Sequence, residues 1–124
     1  MSDRARNSMK GRRIVAWDAA MTSARDLLLV DDTMGAFRML ERAHILGQPE
    51  IASHLTTHIW MLRAAWVAKD IREIFGQVFR LLLTPIGHLT GRIPAGNTGR
   101  SNVSAFQHMP IPTEMGQFFD VPSE

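Results

Sequence analysis

A helix-breaking corner at Gly47-Gln48-Pro49 constrains this chain more than any other feature. Glycine commonly supplies the left-handed residue that ends a helix, and proline cannot continue a helix but can open one. The flanks, Glu41-Arg-Ala-His-Ile-Leu before and Glu-Ile-Ala-Ser-His-Leu-Thr-Thr-His58 after, therefore read as one helix closing and the next beginning. Helices joined by so short a turn lie side by side. Three of the five histidines sit here: His44 one turn before the corner, His54 and His58 beyond it. Spacing of i, i+4 puts His54 and His58 on one helix face, and the turn brings His44 alongside.

The same periodicity runs through most of the chain. Ile14, Trp17, Met21, Ala24 and Leu28 recur at helical spacing, and Asp31-Asp32-Thr33 interrupts them with N-cap residues. Helices are predicted at 13–30, 33–46, 50–68 and 70–84. The second turns Phe37, Leu40 and Ala43 inward, and the third Leu55, Ile59, Leu62 and Trp66. The fourth shows Ile71, Ile74, Phe75, Val78, Leu81 and Leu82, with Pro85 and Gly87 ending or kinking it. No alternating apolar runs remain for a sheet, so the fold class is all-α. Shifted by 38 residues, Arg25 falls on Arg63, Asp32 on Asp70, Phe37 on Phe75 and Arg42 on Arg80. The apolar stripes and turns match as well, which predicts two stacked antiparallel helical hairpins, a tetratricopeptide-like or four-helix arrangement.

A single domain over 1–124 is expected, with three parts. Residues 1–12 read as a basic disordered tail, 13–87 as the hairpins and 88–124 as an extended irregular strap. Glycines and prolines from Gly91 to Pro112 exclude a long helix there, while Ile93, Val103, Phe106, Met109, Ile111, Met115, Phe118 and Phe119 supply anchors. The strap is expected to bury Phe106 and Ile111 across the hairpins, or across a second subunit or a protein partner.

Charge and composition narrow the function. Five cations stand against one anion in residues 1–13, so a formal charge of +2 leaves the rest of the chain slightly acidic. No aromatic is interleaved with those cations, which argues against specific nucleic-acid binding. There is no cysteine, which excludes thiolate catalysis and thiolate-bound zinc. No run approaches the ~20 apolar residues of a membrane span, and no secretory hydrophobic segment opens the chain. A cytoplasmic protein without membrane contact is expected.

The histidine corner is the candidate site. An i, i+4 imidazole pair can chelate one ion, as in His-Glu-x-x-His zinc enzymes, but Leu-Thr-Thr separates the pair here and that motif's glutamate base is absent. Glu41 and His44 form a Glu-x-x-His pair, yet a di-iron bundle needs two such pairs. Gly96-Asn-Thr-Gly-Arg100 lacks the lysine and the strand-to-helix setting of a phosphate loop and reads as a turn. The metal ligands are thus expected to be His44, His54, His58 and Glu41, with Glu50 as a substitute carboxylate and no catalytic residue assigned. Zinc, nickel or copper suits imidazole donors, and affinity is expected to fall below about pH 6, where free imidazoles protonate. The alternative for the same three residues is a polar interhelical seam.

Three motifs add a resemblance. Glu-Arg-Ala-His-Ile-Leu-Gly-Gln at 41–48, His-x-x-x-His-Ile-Trp-Met-Leu-Arg at 54–63 and Pro-Ala-Gly-Asn-Thr-Gly-Arg-Ser-Asn-Val-Ser at 94–104 resemble a family of short bacterial proteins, the domain of unknown function DUF3703. The resemblance extends from Arg13 to Pro112. It implies a bacterial source and a small helical domain, with histidines at the positions of His44, His54 and His58, and it brings no activity. The chain is accordingly expected to be a binding or accessory module with a histidine metal site. A metal-dependent enzyme using the same histidines is the runner-up, and a dimerising structural protein the third reading.

Overall fold

Short polar side chains cap the starts of three of the four α-helices. The computed structural model describes residues 2–120, and within them lie α1 (Asp3–Leu29), α2 (Thr33–Gly47), α3 (Ile51–Val67), α4 (Ile71–Thr90) and a 3₁₀ segment, Thr113–Phe118. There is no strand among the described residues. Successive helices pack on each other, α1 on α2, α2 on α3 and α3 on α4.

α1 starts ten residues earlier than the predicted helix, so the segment expected as a disordered tail is helical from Asp3. Ser2 caps it by accepting from the Ala5 amide, and Asp3 adds a negative charge beside the positive end of the helix dipole. The added turns have a use: Met9 is buried, and Arg13 reaches Glu50 and the carbonyl of Phe118.

The turns before α2 and α4 repeat in detail at the 38-residue offset. Asp31 and Lys69 both take positive φ, of 60° and 56°. Asp32 and Asp70 then cap their helices through the amides of Gly35 and Glu73. Their own amides donate back to Leu27 and Ala65. Arg25 and Arg63, which also correspond at the 38-residue offset, both lie over the ring of Trp60.

Gly47 ends α2 for a different reason than the one expected. It is the last helical residue and its φ lies outside the left-handed region. Space is what requires glycine: a Cβ there would stand 2.6 Å from Trp17 Cδ1. The indole can therefore lie against the corner and donate from Nε1 to Thr57 Oγ1 at 2.9 Å.

The apolar stripes of the second half face outward. α3 buries Ser53, His54, Thr57, His58, Met61, Ala64 and Ala65, while Ile59 and Trp66 are exposed. α4 buries Glu73, Gln77, Arg80 and Thr84, and leaves Ile71, Phe75, Val78, Phe79, Leu82, Ile86 and Leu89 in the open. The inward assignment of Ile59, Trp66, Ile71, Phe75, Val78 and Leu82 is thus reversed. Periodicity identifies two faces of a helix, and here the polar one is turned in. α4 also runs through Pro85 to Thr90 and ends on Gly91 at φ 72°, so it outlasts the predicted helix.

After Gly91 the chain is irregular as far as Pro112 and then makes the 3₁₀ turn. Met115 is 4% exposed and packs with Ile45 and Leu46, flanked by Ile111, Phe118 and Phe119. Phe106, expected to be buried, is 67% exposed. Deleting a buried methionine side chain costs about 2–5 kcal/mol. Urea denaturation should therefore show Met115→Ala losing at least about 2 kcal/mol, with Phe106→Ala close to wild type.

Candidate metal centre

Two backbone decisions bring three imidazoles to one point. α2 ends at Gly47, so His44 lies in its last turn, and α3 restarts after three residues with His54 and His58 one turn apart. All three are buried. Their Nε2 atoms form a near-equilateral triangle: His44 to His58 3.1 Å, His44 to His54 3.1 Å and His54 to His58 3.2 Å. The expected triad is brought together. Glu41 is not part of it, because its carboxylate meets Arg100 Nη1 at 3.2 Å. Glu50 is likewise engaged by Arg13.

The outer nitrogens fix the tautomers. His44 Nδ1 lies 2.6 Å from the Asn97 carbonyl, which only accepts, so His44 carries its proton there. His58 Nδ1 lies 2.7 Å from Gln77 Oε1. The Gln77 amide nitrogen donates to the Gly99 carbonyl and Glu73 Oε1, so Oε1 is an acceptor and His58 too is protonated at Nδ1. Both rings then turn a bare Nε2 lone pair into the triangle. His54 Nδ1 lies 2.9 Å from His88 Nε2. With that proton on Nδ1, all three inner nitrogens are lone pairs. With it on Nε2, His54 can satisfy one neighbour and the contact between His44 and His58 is still lone pair against lone pair.

Electrostatics keep the rings neutral. Burial, then the neighbouring His58 and His54, pushes His44 well below the ordinary histidine value. Burial and the facing His58 and His88 lower His54 to about 3. Burial lowers His58 to about 4 against the opposing pull of its Gln77 hydrogen bond, with Arg80 adding to the lowering. Burial also lowers His88. Neutral, deprotonated Nε2 atoms are the form in which imidazole binds metal.

A second polar layer holds the loop that closes the site. Glu73 accepts from Arg100 Nε at 2.5 Å and from the backbone and hydroxyl of Ser101. Burial raises its pKa, but the Ser101 and Arg100 hydrogen bonds outweigh that and hold it below the usual carboxylate value. Glu41 goes the other way, since burial raises it by more than Arg100 lowers it. Arg100 also lies 3.9 Å above the Phe37 ring. Asn97 Nδ2 donates to the carbonyls of Ser104 and Gln107, so the loop carries its own clamp.

The three histidines form part of the wall of a cavity of about 340 Å³. Its other walls include Arg80, Thr84, Leu83, Ile86, Ile93 and Phe106. Sequence reasoning missed Gln77, His88 and Asn97 as partners of the triad. A usable signal existed for His88: reading Gly91 rather than Pro85 as the end of α4 puts it on a helix.

A protein-family model described as "Protein of unknown function (DUF3703)" matches residues 12–119. No curated protein and no solved structure matches the chain.

Gly99 gives a direct test of the loop's role. It has φ 80°, and a Cβ on it would stand 2.5 Å from His44 Cδ2. Gly99→Ala therefore meets both backbone strain and the imidazole. It should destabilise the fold by at least about 1 kcal/mol in urea denaturation and displace the His44 ring signals in heteronuclear NMR. A variant with wild-type stability and unmoved His44 signals would contradict the packing described.

Proposed function

The chain belongs to the DUF3703 family, which carries no activity to inherit, and from the site alone we propose that it is a small cytoplasmic metal-binding module. His44, His54 and His58 hold one divalent transition-metal ion. One observation carries this reading: three buried neutral imidazoles aim Nε2 at a common point while each Nδ1 is engaged by Asn97, His88 or Gln77. Histidine ligands commonly have their second nitrogen tied in this way, which orients the ring and raises its basicity. Without a cation, facing lone pairs repel, and the low local dielectric of a buried setting strengthens that repulsion. The size is suitable too. Given the sides of the triangle, an ion about 2.0–2.1 Å from each nitrogen sits roughly 1 Å off their plane.

Three nitrogen ligands leave a coordination position open on the cavity. The module reading is preferred to a metal-dependent enzyme because no carboxylate lines that cavity among the described residues. Glu41 and Glu73 are paired with Arg100, and Glu50 with Arg13, which leaves none of them beside the triad as a general base.

The helices are read as two antiparallel hairpins, α1–α2 and α3–α4, with the residues after Gly91 as a strap across their seam. The repeated turns at Asp31 and Lys69 support the hairpins. The bonds from Asn97, Gly99 and Arg100 to side chains of α2 and α4 support a strap that serves its own chain.

Calorimetry with zinc and nickel on protein without a histidine tag should give one site per chain. His54→Ala and His58→Ala should each weaken it at least about a hundredfold, the scale of a lost ligand bond. Protons compete with metal only as pH falls through the folded-state values, about 3 for His54 and about 4 for His58. Affinity should therefore hold between pH 7 and about pH 5 and fall below that, a lower window than free imidazoles would give. Equal, weak binding by wild type and both variants would leave a polar seam and no centre.

The outward apolar face of α4 favours a compatible second reading, self-association. Phe75 and Leu82 are 71% and 70% exposed on a helix whose polar side is buried. Apolar surface of this kind marks an interface. Sedimentation velocity should find wild type above monomer mass and Leu82→Glu monomeric; a monomeric wild type would count against it.

A further inference from the structure

Arg80 has no place in the metal shell, yet it is one of the more constrained charges in the molecule. It is 7% exposed and forms part of the cavity wall together with all three histidines. Its Nη1 donates to the Gly76 carbonyl and its Nη2 to the Val103 carbonyl. Its Nε–H is buried and has no partner among the described residues. An orphaned donor on a buried cation is costly, because the charge has been taken out of water without full compensation. Glu73 is the acid that most affects Arg80, but its oxygens are engaged by Arg100, Ser101 and Gln77.

Electrostatics add a second argument. Arg80 shares the cavity wall with His44, His54 and His58, so its positive charge lies on the side of the triad that the cavity opens. A divalent ion held by three neutral ligands adds two more positive charges beside it. Arg92 lines the same cavity, and among the described residues no acidic one does. Positive charges gathered in a low-dielectric pocket call for an anion. The rest of the wall limits what that anion is attached to. Leu83, Ile86, Ile93 and Phe106 are apolar, and the volume of about 340 Å³ exceeds what a bare inorganic ion fills.

We propose that the cavity binds a small organic acid, its carboxylate facing both the histidine-held metal ion and the guanidinium of Arg80, its apolar body against Leu83, Ile86, Ile93 and Phe106. The inference rests on the metal centre proposed above and names what occupies the open side of that centre. Exposure of Phe106 fits a residue at the mouth, where it covers a ligand and not the protein core.

The test uses tag-free full chain loaded with cobalt(II), whose visible spectrum reports its coordination. Benzoate should shift the cobalt bands saturably, and benzamide, its neutral isostere, should not at the same concentrations. Arg80→Met should bind cobalt at least as tightly as wild type, since a like charge is removed, and weaken benzoate about tenfold or more, the scale of one charge-assisted hydrogen bond. Bound cobalt with no response to benzoate overturns the acid site and leaves the metal centre standing. So does an equal response to benzoate and benzamide, a comparison that needs no variant to fold. Unchanged benzoate affinity in Arg80→Met removes the role given to that residue. A wild-type chain that takes up no cobalt overturns both readings.

Discussion

Three neutral imidazoles facing one another across about 3 Å form the constraint on which the rest of this structure depends. His44, His54 and His58 direct their Nε2 atoms into a shared buried point. That arrangement holds only because each ring is gripped from behind. The grips come from three separate places: the Asn97 carbonyl in the loop after α4, Gln77 in the body of α4, and His88 near its end. The Asn97 and Gln77 grips fix a proton on the outer nitrogen of His44 and His58 and thereby keep the inner one free, and His88 holds the outer nitrogen of His54.

The inside-out character of α4 follows from that demand. A helix that must supply Gln77 to His58, Glu73 to Arg100 and Ser101, and Arg80 to the cavity has to turn its polar stripe inward. Its apolar residues are then left on the outside. Hydrophobic burial in this protein is correspondingly concentrated between α1, α2 and the inner side of α3, around Met21, Leu40 and Met61. The loop 96–101 completes the enclosure. Glycine at 99 lets its backbone pass against the His44 ring, and Arg100 ties it to Glu41 and Glu73.

The corner was legible because its signals are local. Gly47 and Pro49 interrupt a helical pattern, and i, i+4 spacing is enough to place His54 and His58 on one face. The turns before α2 and α4 were legible for the same reason, since Asp32 and Asp70 act as caps within their own helices. What periodicity cannot supply is a sign. The stripe Ile71, Phe75, Val78, Leu82 is amphipathic whichever way it points, and its direction was set by histidines far away in sequence. Glu41 looked like a ligand because it shares a helix with His44, but the guanidinium that claims it arrives from Arg100, 59 residues later. Gly47 showed the same limit: its place was readable, while its cause, the indole of Trp17, is a tertiary contact. Pro85 allows either an end or a kink, and the predicted boundary at 84 takes the first, although a helix can carry a proline on an exposed side and continue to a left-handed glycine such as Gly91.

The account stands or falls on whether the triangle of Nε2 atoms is a coordination shell. X-ray absorption at the zinc edge, on tag-free protein loaded with one equivalent of zinc, reads that shell directly. The account predicts nitrogen neighbours at about 2.0–2.1 Å, with the outer-shell scattering of three imidazoles. A shell of oxygen neighbours without imidazole scattering would contradict it.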